Sequence, residues 1–294
     1  MADAETLLAE VLASRRRELG PLAPETLKSL NKLGVLQRAK GDLGQAVTTL
    51  GQALEGRRTS LGGAHPDTLR TLNDLGNALY DKGVENAKLA TLDAAAGLYK
   101  EALTACKLTL GERHPLTLTS MNNLGNVLHA RGLMQPKFIP GRGPNKKREE
   151  EMERGAALLR ESLAASTAVH GHRHLETLIS ASNLGSALRS LGGEKASLGD
   201  EGGATISDEA AGLITDAVEG IADAWTTDLE RRPQMRDALR AGLEDVIVPE
   251  PKADGANGGG GGGPFAFLLG LLAGAPAERE TASSPLSREV AGTW

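Results

Sequence analysis

The stretch LGGAHPDTLRTLNDLG, from Leu61 to Gly76, decides the fold class, because the same phrase occurs four times in the chain. The other copies are LGPLAPETLKSLNKLG (Leu19 to Gly34), LGERHPLTLTSMNNLG (Leu110 to Gly125) and HGHRHLETLISASNLG (His170 to Gly185). Their final glycines are 42, 49 and 60 residues apart. Repeats of this length indicate a stack of small units that bury their apolar faces only against each other.

Each unit is predicted to contain two helices. In the first unit, Pro24 suits a first helical turn, and apolar residues follow at helical spacing from Leu27 to Leu36. Gly41 is predicted to end this helix and Asp42 to cap the next, which continues from Ala46 to Leu54. Because the connection is short, the two helices are expected to lie antiparallel.

Four repeated glycines fall inside the predicted first helices, where glycine costs about 1 kcal/mol relative to alanine. They are Gly34, Gly76, Gly125 and Gly185. Small residues recur at matching points of the second helices (Ala46, Ala95, Gly155, Ala210), each followed four residues later by a larger one (Leu50, Tyr99, Leu159, Ile214). Small residues opposite large ones predict close packing of the two helices.

This pattern resembles the tetratricopeptide repeat, whose marker positions are filled in order by Leu72, Leu75, Gly76, Leu79, Ala95, Tyr99 and Ala102. The first unit departs at Gln37, where a large apolar residue is expected. The 42-residue step, the His-Pro-x-Thr-Leu turn and the Asn-x-Leu-Gly phrase resemble the longer repeat of the kinesin light chain group. The resemblance implies an all-α fold, a tetratricopeptide-type right-handed superhelix of antiparallel helix pairs. It also implies cargo selection for a microtubule motor as one functional context.

The repeats predict three regions along the chain. Residues 1–232 form the array, with an orphan second helix near its start, four units, and enlarged loops at 84–91, 134–150 and 193–205. Residues 233–248 are amphipathic and are predicted to cap the array. Residues 249–294 comprise a glycine-rich linker, the apolar segment Phe265 to Ala275, and a polar tail.

The resemblance also implies a binding groove, because the first helices of this repeat class line the concave face. Two positions one helical turn apart carry mostly amides and hydroxyls, in the pairs Asn31/Val35, Asn73/Asn77, Asn122/Asn126 and Ser182/Ser186. Asparagine both donates and accepts hydrogen bonds, so it suits a peptide backbone. The surrounding side chains are Lys28, Arg38, Arg70, Tyr80, His129 and Arg189, with Asp81 as the acid. These residues predict an extended, acidic peptide as ligand; the alternative is that the asparagines only satisfy neighbouring turns.

Several classes of chemistry are not expected. A net charge of −5 argues against general nucleic-acid binding, and the chain contains neither a nucleophile elbow nor a phosphate-binding loop. No enzyme activity, cofactor or metal is therefore predicted. His65, His114 and His174 precede first helices, so a structural role is favoured over metal ligation. The single cysteine, Cys106, is predicted to be a small core residue.

A cytoplasmic location is predicted, since the N-terminal residues lack the apolar stretch of a secretory signal. Phe265 to Ala275 has too few residues to span a bilayer, but it is compatible with lying on a membrane, folding back onto the array, or remaining unstructured. A membrane-tethered scaffold is thus an alternative to a free adaptor. Lys146 to Arg148 are read as a solvated loop, with a nuclear signal as the alternative.

Overall fold

The computed structural model describes residues 2–231, and this part of the chain is helical apart from short connections. Its nine helices are α1 (Ala2–Leu19), α2 (Pro24–Lys40), α3 (Leu43–Leu61), α4 (Pro66–Glu85), α5 (Leu89–Thr109), α6 (Pro115–Met134), α7 (Lys146–His170), α8 (Leu175–Ser197) and α9 (Gly202–Arg231). A small antiparallel hairpin of β1 (Phe138–Ile139) and β2 (Gly143–Pro144) lies between α6 and α7. The predicted capping helix at 233–248 and the tail at 249–294 lie outside the described residues.

The helices pack as consecutive antiparallel pairs, which confirms the predicted all-α, right-handed superhelix of tetratricopeptide type. Residues 2–228 belong to one compact unit. Its core consists of successive apolar clusters, each shared by helices of adjacent units, as for Leu50 of α3, Leu72 of α4 and Ala102 of α5. The buried face of each pair is therefore covered by the next pair, as expected of a repeat array.

The sequence signals at the helix ends have local physical causes. The Nδ1 atoms of His65, His114 and His174 accept the backbone N–H two residues later, at 3.1, 3.1 and 3.2 Å, which satisfies a first-turn donor. Gly41 ends α2 with φ of 88°, a left-handed conformation that favours glycine. Asp42 does precede α3, but its side chain makes no capping bond. Its carboxylate instead lies 3.4 Å from Lys40 Nζ.

The four glycines inside the first helices lie where a second helix comes closest. A Cβ built on Gly34 would lie 2.6 Å from Leu50 Cγ, and one on Gly76 would lie 2.5 Å from Tyr99 Cε1. The same close contact joins Gly125 to Leu159, at 2.7 Å, and Gly185 to Ile214, at 2.5 Å. Each glycine therefore faces the large residue of its own unit, as the sequence pattern predicted.

Helix α1 occupies the place of a second helix. Its Arg15 donates to Ser29 Oγ at 2.6 Å and to the Glu25 carbonyl at 3.1 Å. Arg57 of α3 makes the corresponding bonds one repeat later, to the Thr71 hydroxyl and to the Asp67 carbonyl. These two arginines are 42 residues apart and make the same contacts, so α1 contacts α2 as α3 contacts α4.

Two of the three insertions predicted as enlarged loops lengthen helices instead. Helix α4 continues to Glu85 and α5 begins at Leu89, so only three residues connect them. Helix α8 likewise continues to Ser197, since nothing in this stretch breaks the helix before Gly199, which has φ of 81°. The insertion before α7 does leave the helical path, and the Arg148 guanidinium holds it through the carbonyls of Gly132, Leu133 and Gln135.

Candidate functional site: the inner face of the first helices

The first helices of the units lie on the concave side of the array. The backbone of each first helix lies close to that of the next one (α2 with α4, α4 with α6, α6 with α8), whereas the backbones of α1, α3, α5 and α7 do not approach each other as closely. A stack that is tighter on one side curves toward that side. The side chains that form an exposed or half-buried stripe on these helices therefore define the inner face: Lys28, Lys32, Val35; Arg70, Asp74, Asn77; Thr119, Asn123, Asn126; Ile179, Asn183 and Ser186.

The asparagine row predicted to bind a peptide lies beside this stripe rather than on it. Asn31, Asn73 and Asn122 are 7%, 3% and 9% exposed, because their position in the helix points toward the next unit. Asn31 donates from Nδ2 to Asp74 Oδ2 at 2.7 Å, and its Oδ1 lies 3.5 Å from Arg57 Nη1. This side chain links α2 to the next unit, which corrects the expectation that it faces a ligand.

Asn73 makes a similar link between the second and third units. Its Nδ2 donates to Ser120 Oγ at 2.8 Å and to the Leu69 carbonyl at 3.1 Å. Its Oδ1 accepts from Asn123 Nδ2 at 3.4 Å. With both ends of the amide occupied by protein groups, Asn73 is not available to a peptide in this conformation.

Asn122 differs from the other two asparagines. Its Oδ1 is buried and has no hydrogen-bond partner among the described residues. The side chain lines a cleft of about 350 Å³, the inner cleft, between α6 and α8. The other residues that line it are Pro115, Leu118, Thr119, Asn123, Ser166, His170, His174, Glu176, Ile179 and Ser180. An unsatisfied buried acceptor costs about 1–3 kcal/mol. A ligand that donates a hydrogen bond to this oxygen would remove the cost, which favours binding in the cleft.

The inner cleft exists because the residue at one position of the second helices differs in size between the units. Seven residues after the large residue of the unit, the chain has Arg57 in α3, Cys106 in α5 and Ser166 in α7. Arg57 is 4% exposed and reaches both Asn31 and the next first helix. Cys106 is fully buried, with Sγ 4.0 Å from Ser120 Oγ. Ser166 is too short to reach Asn122, and the space that a longer side chain would fill remains open.

The remaining polar candidates of the predicted groove are divided between the open face and internal bonds. Asn126 and Ser182 are half-buried and Ser186 is exposed, so all three are accessible. Asn77 is half-buried, and its Oδ1 accepts the Tyr99 hydroxyl at 2.7 Å. Its amide group therefore retains only its Nδ2 donors for a ligand.

Two basic residues of the predicted groove are exposed, one near each end of the inner face. Lys28 and Arg189 are exposed and have no ion-pair partner within residues 2–231. By contrast, Arg38 Nε on α2 lies 2.6 Å from Asp81 Oδ2 and Arg70 Nη1 on α4 lies 3.2 Å from Asp67 Oδ1. These two arginines are largely neutralised, because an opposite charge within 4 Å screens their field.

Two aromatic candidates are less available than their sequence positions suggested. Tyr80 is half-buried, and burial raises the pKa of its hydroxyl, with a further contribution from Asp81. Burial, helped by the Arg148 charge, lowers the pKa of His129 to about 4. His129 is therefore neutral near pH 7 and adds no positive charge, which corrects its place in the predicted basic groove.

Two histidines near the inner cleft stack on each other. The ring centroids of His170 and His174 lie 4.4 Å apart, with an interplanar angle of 20°. Residues 2–231 hold no cluster of three or more His, Cys, Asp or Glu side chains suited to a metal ion. The capping bonds of His65, His114 and His174 agree with their structural interpretation.

Sequence reasoning missed the residues one position after Asn31, Asn73, Asn122 and Ser182. The residues there, which lie on the open stripe, are Lys32, Asp74, Asn123 and Asn183. It also missed the role of Ser166 and Ser180 in shaping the inner cleft. Burial raises the pKa of Asp74, against the opposing effect of its hydrogen bond from Asn31. The signal that could have found the cleft was present, since Arg57, Cys106 and Ser166 align once the units are superposed.

Comparisons with known proteins agree with this architecture. Two tetratricopeptide-repeat family models match, one at residues 1–59 and one at residues 68–116. No curated protein matches the sequence. Within the described residues no helix is both long and apolar enough to cross a membrane.

Three of the solved structures that resemble the chain are kinesin light chain-like arrays. Two crystal structures of a Podosopora anserina protein, described as a kinesin light chain with nearly identical TPR-like repeats, have TM-scores of 0.53 and 0.51 at 20% identity. Both cover 76% of this chain and 88% of theirs. BtubC (BKLC) from P. vanneervenii has a TM-score of 0.50 at 18% identity, over 87% of this chain and 79% of its own. Residues 1–59 and 68–116 therefore carry tetratricopeptide repeats, and the fold of the chain is similar to those of kinesin light chain-like repeat arrays.

Proposed function

We propose that the chain is a protein-interaction scaffold that binds an extended, acidic peptide segment on the inner face of its first helices. Repeat arrays of this class present concave surfaces to partner proteins. The observation that carries the proposal is the buried, unpartnered Oδ1 of Asn122 in the inner cleft. An amide oxygen in this position is suited to accept a backbone N–H of a peptide.

The charges of the inner face support acidic residues on either side of that anchor. Lys28, Lys32 and Arg189 are exposed and have no ion-pair partner in the described part of the chain. Glu176 lines the inner cleft itself, so acidic side chains of the peptide are excluded there. The proposed ligand therefore places a neutral stretch over Asn122 and its acidic residues toward the ends of the groove.

The Asn122 anchor can be tested without disturbing the array. Asn122 makes no hydrogen bond to the other described residues and its Oδ1 is an unsatisfied buried acceptor, so Asn122→Ala is expected not to lower thermal stability. It should weaken binding of the best peptide from an array of acidic and basic peptides about fivefold, the value of one hydrogen bond. Asn73→Ala is the matched control, because it removes bonds between helices: Tm falls and the affinity remains. If Asn122→Ala binds that peptide as tightly as the natural sequence, the anchor is wrong.

The charge preference needs a separate measurement. Lys28→Glu combined with Arg189→Glu is expected to weaken binding of the acidic peptide. The affinity of this variant should also fall less with added salt than the affinity of the natural chain. Equal binding of acidic and basic peptides would contradict the preference.

The location and the cellular role of the protein belong to the same proposal. The proposed adaptor is cytoplasmic and has neither catalytic activity nor a cofactor, and a net charge of −5 argues against a nucleic-acid ligand. Cargo selection for a microtubule motor is the more specific version, and the similarity to kinesin light chain folds favours it. Tethering through Phe265 to Ala275 remains a separate proposal, because this segment lies outside the described residues.

A further inference from the structure

A second cleft lies on the opposite side of the array from the inner face. It has a volume of about 900 Å³ and runs between α5 and α7, with α6 as its floor. We call it the outer cleft. Its walls come from one stripe of α5, from Asp93 to Leu108, and one stripe of α7, from Arg154 to Glu161. At 1.5 Å per residue the α5 wall is about 22 Å long, which is about four helical turns.

The bottom of the outer cleft is apolar and its walls carry small residues. Leu124 and Leu128 of α6 form the floor, while Ala96 and Gly97 of α5 and Ala157 of α7 leave space above it. A Cβ built on Gly97 would meet no atom within 4 Å, so helix packing in the array does not require glycine there. Leu108, at one end of the cleft, is 82% exposed. This surface therefore combines open volume with unburied apolar area.

The rim of the outer cleft has an excess of positive charge. Arg131 Nε lies 2.8 Å from Asp93 Oδ1, and Lys107 Nζ lies 3.4 Å from Glu161 Oε1, so both acids that line the cleft are paired. Lys100 on the α5 wall and Arg154 on the α7 wall have no ion-pair partner among the described residues. Two unpaired cations thus face each other across an apolar floor.

We propose that the outer cleft binds an amphipathic helix of a partner protein, with an apolar face of Leu-type residues and acidic residues on both flanks. The apolar face would cover Leu124 and Leu128, while the flanking acids would pair with Lys100 and Arg154. Small wall residues permit close approach of a helix, and a helix in an apolar groove is a recurrent mode of recognition. This site is independent of the inner face, so the array could hold two partners, or two segments of one partner, at once.

The test uses the full chain and a labelled synthetic helix of about 15 residues, four turns, with Leu on one face and Glu on both flanks. Fluorescence polarisation is expected to show saturable binding, with a version carrying Lys in place of Glu binding at least tenfold more weakly. Lys100→Gln combined with Arg154→Gln should weaken the Glu peptide about tenfold. Gly97→Leu should weaken it as much, because the new side chain fills the cleft while Tm does not fall.

Two matched controls separate this site from others. Gly51→Leu places the same side chain on α3, where an added Cβ also meets no atom within 4 Å, and it should leave binding unchanged. Lys28→Glu with Arg189→Glu should also leave it unchanged, since both residues lie on the inner face. Absence of saturable binding, equal binding of the Glu and Lys peptides, or loss of binding in the inner-face variant instead of Gly97→Leu would overturn the proposal.

Discussion

The contact between the first and second units and the contact between the third and fourth units use the same repeat positions with opposite results. In the first, Arg57 fills the space behind Asn31, whose amide is bonded at both ends. In the last, Ser166 leaves that space open and the Asn122 oxygen has no partner in the described chain. One asparagine is a structural link and the other is a candidate ligand anchor. The role of a residue therefore depends on the residue opposite it and not only on its position in the repeat.

The largest expected difference between the two contacts comes from removing the Arg57 side chain. Arg57→Ala is expected to lower the free energy of unfolding by about 3 kcal/mol, because the Thr71 hydroxyl and the Asn31 oxygen lose the donor they accept from and a cavity is created. The Asp67 carbonyl also loses its bond from Arg57 and keeps the one from the Thr71 hydroxyl. Urea unfolding followed by circular dichroism measures the change. The midpoint should move with little change in slope, if the array unfolds as one unit.

The equivalent change in the third unit provides the control. Ser166→Ala removes a hydroxyl that bonds to none of these groups, so the free energy of unfolding should change by less than about 0.5 kcal/mol. Similar losses for Arg57→Ala and Ser166→Ala would show that the two contacts do not differ as described.

A smaller effect is expected where α6 and α7 approach each other. Gly155 of α7 stands where the other second helices have Ala46, Ala95 and Ala210. A Cβ on Gly155 would lie 2.7 Å from the Gly125 carbonyl oxygen and 2.8 Å from the His129 nitrogen, and backbone atoms cannot turn away as a side chain can. Gly155→Ala should therefore cost about 2 kcal/mol of unfolding free energy, although it restores the residue of the other units.

Gly51→Ala is the comparison for that measurement. Gly51 lies inside α3, and an added Cβ there meets nothing within 4 Å. This change should raise the free energy of unfolding by up to about 1 kcal/mol through helix propensity alone. A stabilising Gly155→Ala would mean that the third unit is packed no more tightly than the others.

Much of this architecture could be predicted from the sequence, because packing between helices repeats with the chain. The four helix glycines and their large partners, such as Gly76 and Tyr99, recur at matching positions of the repeat, and the structure joins them as expected. The proline and histidine signals at helix starts depend only on neighbouring residues. The structure of the insertions was less predictable, since the composition of residues 84–91 suits a continued helix as well as a loop.

The candidate site was harder to predict than the fold. Assigning a helix position to the concave face left an uncertainty of one residue, which separates the buried Asn73 from the half-buried Asp74. Hydrogen bonds between units decide which amides are occupied, and they join residues 43 to 50 positions apart. The outer cleft depends on the spacing of α5 and α7, for which the sequence carried no local signal.

The smallest expected effect concerns one position that differs between units in its charge. Arg38 in the first unit pairs with Asp81, whereas His129 takes the equivalent place in the third unit and is half-buried with a pKa lowered to about 4. Between pH 6.5 and pH 4 the unfolded chain binds a proton on His129 that the folded chain does not. Stability from this residue is therefore complete above pH 6.5 and is lost as the pH falls through that window.

His129→Gln removes this contribution while it keeps a polar side chain of similar reach. The natural chain is expected to lose about 1.5 kcal/mol more unfolding free energy than His129→Gln between pH 7 and pH 5, since one pKa unit corresponds to 1.36 kcal/mol. Urea titrations of both chains at each pH measure the difference, and the carboxylates that titrate in the same range cancel in the comparison. Parallel losses in the two chains would show that His129 is accessible to protons in the folded state. In that case the third unit would be as open at this position as the first, and His129 would return to the set of basic residues on the inner face.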